Sequence, residues 1–165
     1  MKKIFVAVVM SVFFLSLFSC NGKQVESPVP NIPFDISLNL TLPLYEPLLH
    51  PMSGIVFTSG GSRGVAILRI SQDQFAIFDR HCPFKVEEGC AVVEDPDNIA
   101  ALIDDSCCSS RFNMVNAGLP DVGPATTALR AYKYTFNGSI LRIYNWKLKL
   151  NWSIDRLFSA KGILI

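Results

Sequence analysis

Histidine is nearly missing from this chain, and so is any excess of charge. Its 165 residues contain two histidines, His50 and His81. His50 precedes a proline and reads as a surface or packing residue. His81 adjoins Cys82, and on an extended backbone neighbouring side chains leave opposite faces, so the two do not make a dyad. No Ser-His-Asp set is evident, and no catalytic residue is expected. Fifteen basic residues face fourteen acidic ones, a net charge of +1. Such a balance excludes the basic footprint of a nucleic-acid binder. Long helical periodicity is scarce, and there are no internal repeats. Gly60-Gly61 is followed by neither Lys-Ser/Thr nor a helix start, which excludes a phosphate loop. The acidic residues Glu87, Glu88, Glu94, Asp95, Asp97, Asp104 and Asp105 lack calcium-loop spacing and read as a solvated surface. The cysteines include no tight C-x-x-C pairs of the kind that mark a zinc site.

What remains is rich in aromatic and β-branched residues, and the expected class is all-β. Residues 1–19 read as a signal peptide: Lys2 and Lys3 precede the apolar run Ile4–Phe18, which is too short for a membrane span. Leu17-Phe18-Ser19-Cys20 looks like a bacterial lipobox, with Cys20 as the lipidated residue. Residues 20–33 then form a polar tether, extended and poorly packed because of Pro28, Pro30 and Pro33. The expectation is a protein of the bacterial cell envelope, lipid-anchored, at the outer membrane.

The domain is expected over 34–145. Phe34–Leu44 alternates with a period of two as a first strand. Gly54–Phe57, Gly64–Ile70 and Phe75–Asp79 follow, the last two as a hairpin feeding the loop Asp79-Arg80-His81-Cys82-Pro83-Phe84. Cys90–Val93 and Ala100–Ile103 flank an acidic turn and lead to a second loop, Asp105–Phe112. Asn116–Pro120 reads as a turn. Leu129–Phe136 and Ser139–Tyr144 form a hairpin about Asn137-Gly138, a favoured two-residue turn. Residues 146–165 are an extension of no assigned role.

Of five cysteines, Cys20 belongs to the anchor. Cys82, Cys90, Cys107 and Cys108 remain, in a compartment that permits disulfides. Four cysteines allow three pairings, and bonding between the neighbours Cys107 and Cys108 would be strained. The same four residues are the candidate metal ligands.

The wording of the two loops resembles the Rieske iron–sulfur family, closest to Rieske-like envelope lipoproteins of Bacteroidetes type. In that family loop one carries C-x-H and loop two C-x-x-H, followed by Gly-Ser-x-Phe, and two Cys and two His hold a 2Fe–2S cluster. Here Ser109-Ser110-Arg111-Phe112 lies on Gly-Ser-x-Phe, and Gly123-Pro124-Ala125 lies on the loop that shields the cluster. Cys82 takes the first Cys position, Phe84 the first His, Asp105 the second Cys and Cys108 the second His. The resemblance implies an antiparallel β-sandwich with a two-loop tip and an ancestral electron-transfer role. It leaves open a 2Fe–2S cluster or zinc on an altered set of Cys82, Cys90, Cys107 and Cys108. The alternative is a metal-free structural or interaction lipoprotein whose loops are joined by a Cys82–Cys108 or similar disulfide. Expected partners are the membrane, through the lipid, and a redox or envelope protein.

Overall fold

A computed structural model describes residues 27–104 and 106–146. Cys20, Asp105 and nearly all of the 146–165 extension lie outside the described residues.

Among the described residues ten strands pair antiparallel in three sheets. They are β1 (Phe34–Asn39), β2 (Ile55–Thr58), β3 (Val65–Arg69), β4 (Phe75–Asp79), β5 (Val93–Asp95), β6 (Asn98–Asp104), β7 (Ser110–Asn113), β8 (Leu119–Val122), β9 (Lys133–Phe136) and β10 (Ile140–Asn145). The sheet orders are β1-β10-β9, β2-β3-β4 and β5-β6-β7-β8. The all-β antiparallel class is as the sequence implied.

The central sheet explains the layering. Every residue of β3 and β4 is buried. Ala66, Leu68, Ala76 and Phe78 enter one core with Leu102 and Phe112 of the four-stranded sheet and Met114 just after β7. Val65, Ile67, Phe75 and Ile77 enter another with Leu38, Leu141 and Ile143 of the β1-β10-β9 sheet. Side chains alternate across a strand, so a strand covered on both faces must be apolar at every position. The runs Val-Ala-Ile-Leu and Phe-Ala-Ile-Phe meet that demand. The chain before β9 closes onto β4: Ala131 bridges Phe78, and Tyr132 N–H donates to Ile77 O at 3.0 Å.

Several expected boundaries move. The first strand stops at Asn39, whose carboxamide accepts from the N–H of Thr41 at 3.1 Å. Pro43–Leu48 is a 3-10 turn, and Leu42 is exposed. Leu119–Val122 is a strand rather than part of a turn. It is an edge strand, where Pro120 costs no ladder hydrogen bond. In the last hairpin Phe136 pairs with Leu141, so the connection is longer than two residues. Within this turn only Gly138 has a positive φ, +98°. The Asn137 side chain instead accepts from the N–H groups of Ser139 and Ile140. The end of the tether is packed, not loose: Val29 is buried, and the Arg130 guanidinium donates to the carbonyls of Ser27 and Val29.

Candidate functional site

The two cysteine loops leave the ends of β4 and β6, and each begins at a buried carboxylate, Asp79 and Asp104. Asp79 shapes the first. Its Oδ1 accepts from His81 N–H at 2.7 Å and Arg63 N–H at 3.2 Å, and its Oδ2 accepts from Ser62 N–H at 2.6 Å and from the Tyr132 hydroxyl. Burial, and then the Asp79 carboxylate, push the Tyr132 hydroxyl far above the usual phenol range. Cys82 N–H donates to Cys90 O at 2.9 Å, so the loop returns beside its own start.

His81 turns away from Cys82. It is buried, its Nε2–H donates to Val86 O at 3.0 Å, and Nδ1 lies 2.7 Å from Ser62 Oγ. A carbonyl only accepts, so the neutral ring carries its proton on Nε2 and accepts from the Ser62 hydroxyl. Both nitrogens are occupied. Phe84 packs against the core that holds Cys82.

Asp104 shapes the second loop. Its Oδ1 accepts from Cys107 N–H at 3.0 Å and Ser106 Oγ–H at 3.1 Å, the local pattern by which Asp folds a turn on itself. Ser110 opposes Asp104 in the β6–β7 register and is buried. Its Oγ lies 3.1 Å from Cys108 Sγ and accepts from Ala125 N–H, also at 3.1 Å. The Gly123-Pro124-Ala125 segment thus lies against the second loop, although Gly123 and Pro124 themselves are exposed. Gly123 has φ +92°, and a Cβ there would sit 2.5 Å from Ser110 Cα. Gly123→Ala is expected to cost about 2 kcal/mol or more, from left-handed strain and backbone collision. It should also speed alkylation of Cys108 by loosening the Ser110–Ala125 contact. Denaturant unfolding and timed alkylation check this.

The four cysteines, expected as one ligand set, divide into two pairs. Cys90 and Cys107 form a disulfide across the loops, with Cα atoms 6.3 Å apart. Its sulfurs are bonded to each other and cannot serve as thiolate ligands. Cys82 and Cys108 are free thiols with sulfurs 3.8 Å apart; of the staples expected between the loops, Cys82–Cys108 or a similar one, the structure has Cys90–Cys107. Cys82 is fully buried and Cys108 half-buried. Asp104 Oδ2 accepts from Cys108 Sγ at 3.3 Å, and the donor atoms of Cys82, Asp104 and Cys108 all lie within 4.8 Å of one another. Sequence reasoning passed over Asp104 and weighed Asp105 instead. Asp95 was also read as solvated, and it is buried, with Oδ1 accepting from Asp97 N–H at 2.9 Å.

These contacts move protons in opposite directions. Burial pushes the Cys82 thiol well above the ordinary range, Phe84 N–H opposes the shift, and Asp104 reinforces it. Burial would raise Asp104 as well, but hydrogen bonds from Cys82, Cys107, Cys108 and Ser106 outweigh it and hold the carboxyl below its usual value. The lowered Asp104 contributes stability above the ordinary carboxyl pKa of about 3.9, and this is lost as pH falls through the folded value. The raised Cys82 contributes stability below the ordinary thiol pKa of about 8.5. Above that value the unfolded chain releases a proton that the fold retains. Between pH ~8.5 and ~10, above which the raised Tyr132 adds a slope of its own, chelator-treated protein should therefore lose up to about 1.4 kcal/mol per pH unit, and Cys82→Ala should remove that slope. Denaturant titrations across pH measure it.

No protein-family model matches the chain, and no curated protein sequence matches it. Among solved structures, the ferredoxin of carbazole 1,9a-dioxygenase from Nocardioides aromaticivorans IC177 is similar at 17% identity, over 70% of this chain and 99% of that one, with a TM-score of 0.45. The E. coli protein NirD is similar at 15% identity, over 68% of this chain and 100% of that one, with a TM-score of 0.38. The all-β antiparallel class itself stands on the strand pairing described above.

Proposed function

We propose that this chain is a lipid-anchored protein of the bacterial cell envelope, held through Cys20 at the outer membrane. Its Rieske-like β-domain carries no 2Fe–2S cluster, and its disulfide-joined tip is a binding head for another envelope protein. One observation carries the reading: the Cys90–Cys107 disulfide spans the two loops that would otherwise hold a cluster.

A 2Fe–2S cluster takes four protein ligands, two on each iron. With Cys90 and Cys107 bonded together, the described tip offers Cys82, Asp104 and Cys108, whose donor atoms all lie within 4.8 Å of one another. That is the donor set of one metal ion, not of two irons. Phe84 cannot ligate, and both nitrogens of His81 are engaged. Among the described residues the free donors do not fit the cluster.

A face for a partner lies beside the tip. Val93, Ile103, Arg111 and Val122 stand in one row across the four-stranded sheet. Val93 and Val122 are exposed at its ends, and Arg111 between them pairs with Asp121 at 3.0 Å. An apolar row centred on an arginine has the composition of a protein contact surface.

The test uses the full chain extracted from membranes, grown with iron and handled both in air and without oxygen. The reading predicts colourless protein with no stoichiometric iron, and loss of membrane association in Cys20→Ala. Two irons per chain with charge-transfer absorption would overturn it.

A further inference from the structure

We infer that Cys82, Asp104 and Cys108 form a preformed site for a single zinc-class divalent ion, bound by two thiolates and one carboxylate with the fourth position left to water. The inference rests on the reading above that Cys90 and Cys107 are bonded to each other and are not donors.

The spacing is that of one tetrahedral ion. With metal–sulfur bonds of about 2.3 Å, a tetrahedral angle separates two thiolates by about 3.8 Å. The sulfurs of Cys82 and Cys108 stand 3.8 Å apart. A carboxylate oxygen bound at about 2.1 Å would lie about 3.6 Å from either sulfur. Asp104 Oδ2 is 3.3 Å from Cys108 Sγ, so small movements bring the three donors onto one centre.

The charge points the same way. Asp104 is fully buried, and among the described residues no Lys, Arg or His nitrogen lies within 4.0 Å of it. Its hydrogen-bond partners there are the Cys108 thiol, a hydroxyl and an amide. A buried carboxylate ordinarily has a cation beside it. A divalent ion would stand directly beside the carboxylate, and its two charges would be matched by the two thiolates formed as their protons leave to solvent, so the site binds it with no change in net charge.

The surroundings hold the donors in place. Asp104 ends β6, Cys82 is tied to Cys90 through the backbone, and the disulfide joins both loops. Ser110 Oγ accepts from Ala125 N–H, so once Cys108 has lost its proton the Ser110 hydroxyl can donate to the thiolate. Two sulfurs and one oxygen favour zinc over magnesium or calcium, which take oxygen ligands.

The experiment takes the full chain in detergent, strips it with chelator without reductant so that the disulfide survives, and titrates zinc against a chromophoric chelator. The expected result is one zinc per chain. Binding is lost in Cys82→Ser and in Cys108→Ser, is weakened about tenfold or more in Asp104→Asn, and is retained in the Cys90→Ser/Cys107→Ser double variant. Cobalt in place of zinc should give thiolate charge-transfer bands and tetrahedral d–d absorption that vanish in Cys82→Ser. In the unaltered protein zinc should slow alkylation of both Cys82 and Cys108, a readout independent of how the variants fold. Alkylation unaffected by zinc, or a Cys82–Cys108 disulfide in the isolated protein, would overturn the site and leave the cluster-free reading standing. Two irons per chain, with Cys90 and Cys107 as thiolates, would overturn both.

Discussion

Asp79→Ala is expected to destabilise the protein by about 4 kcal/mol or more, although the residue touches neither thiol nor disulfide. Its carboxylate is fully buried and accepts three backbone N–H groups, from Ser62, Arg63 and His81, besides the Tyr132 hydroxyl. These four donors come from the β2–β3 connection, the first cysteine loop and the segment entering β9. One side chain therefore fastens these three segments to the end of β4. Alanine would leave those donors without partners, and each unsatisfied buried group costs about 1–3 kcal/mol. Asp79→Asn keeps the shape but turns one acceptor into a donor, so it should lose roughly half as much. Tyr132→Phe removes a single donor and should cost about 1–2 kcal/mol. Urea unfolding of the three variants gives the ranking. An Asp79→Ala protein within 1 kcal/mol of the parent, on the order of one ordinary hydrogen bond, would show that the network is dispensable.

Loss of the Cys90–Cys107 bond is the second large effect. The bond closes a segment with a sequence separation of 17. Cross-linking a loop of that size is worth about 3 kcal/mol through the unfolded chain. For a domain of this size that is roughly 10 °C in Tm. Cys90→Ser and Cys107→Ser should each show the full loss. The double variant should be no worse than either, because one bond can be lost only once. Additive losses would mean that the two residues act separately. Equal Tm values with and without reductant would mean that the bond does not form in solution.

The fold was readable where burial leaves a mark on composition. β3 and β4 stand out as unbroken apolar runs because both of their faces are covered. The β1 alternation and the two later hairpins were visible for the complementary reason, one face in and one face out. Two of the failures, at Asn39 and Asn137, share a cause: a polar side chain doing backbone work. Asn137 satisfies two amides of its turn, and so sets a longer connection than the Asn-Gly pair implies. Pro120 hid β8, since proline is acceptable in a strand only at an edge and strand order is not written locally.

The candidate site was half readable. Its four cysteines and the Gly123–Ala125 segment were marked by residue type, but the pairing depends on which loop folds over which. Asp79 and Asp104 look from sequence like polar ends of apolar strands, and only the covering loops bury them. A usable signal did exist. Each Asp is the last residue of its strand and lies three residues before a cysteine, Cys82 or Cys107. An Asp placed just ahead of a loop commonly accepts the amides two or three residues on.

The most direct test of the account is a non-reducing peptide map of the full chain, alkylated before digestion. Cleavage at Glu94, Asp95 or Asp97 separates Cys90 from Cys107, which otherwise share one tryptic peptide. The account predicts a cross-linked pair containing Cys90 and Cys107, with Cys82 and Cys108 recovered as thiols or alkylated thiols. Recovery of Cys90 and Cys107 both as alkylated thiols would contradict it, and would return all four cysteines to the pool of cluster ligands.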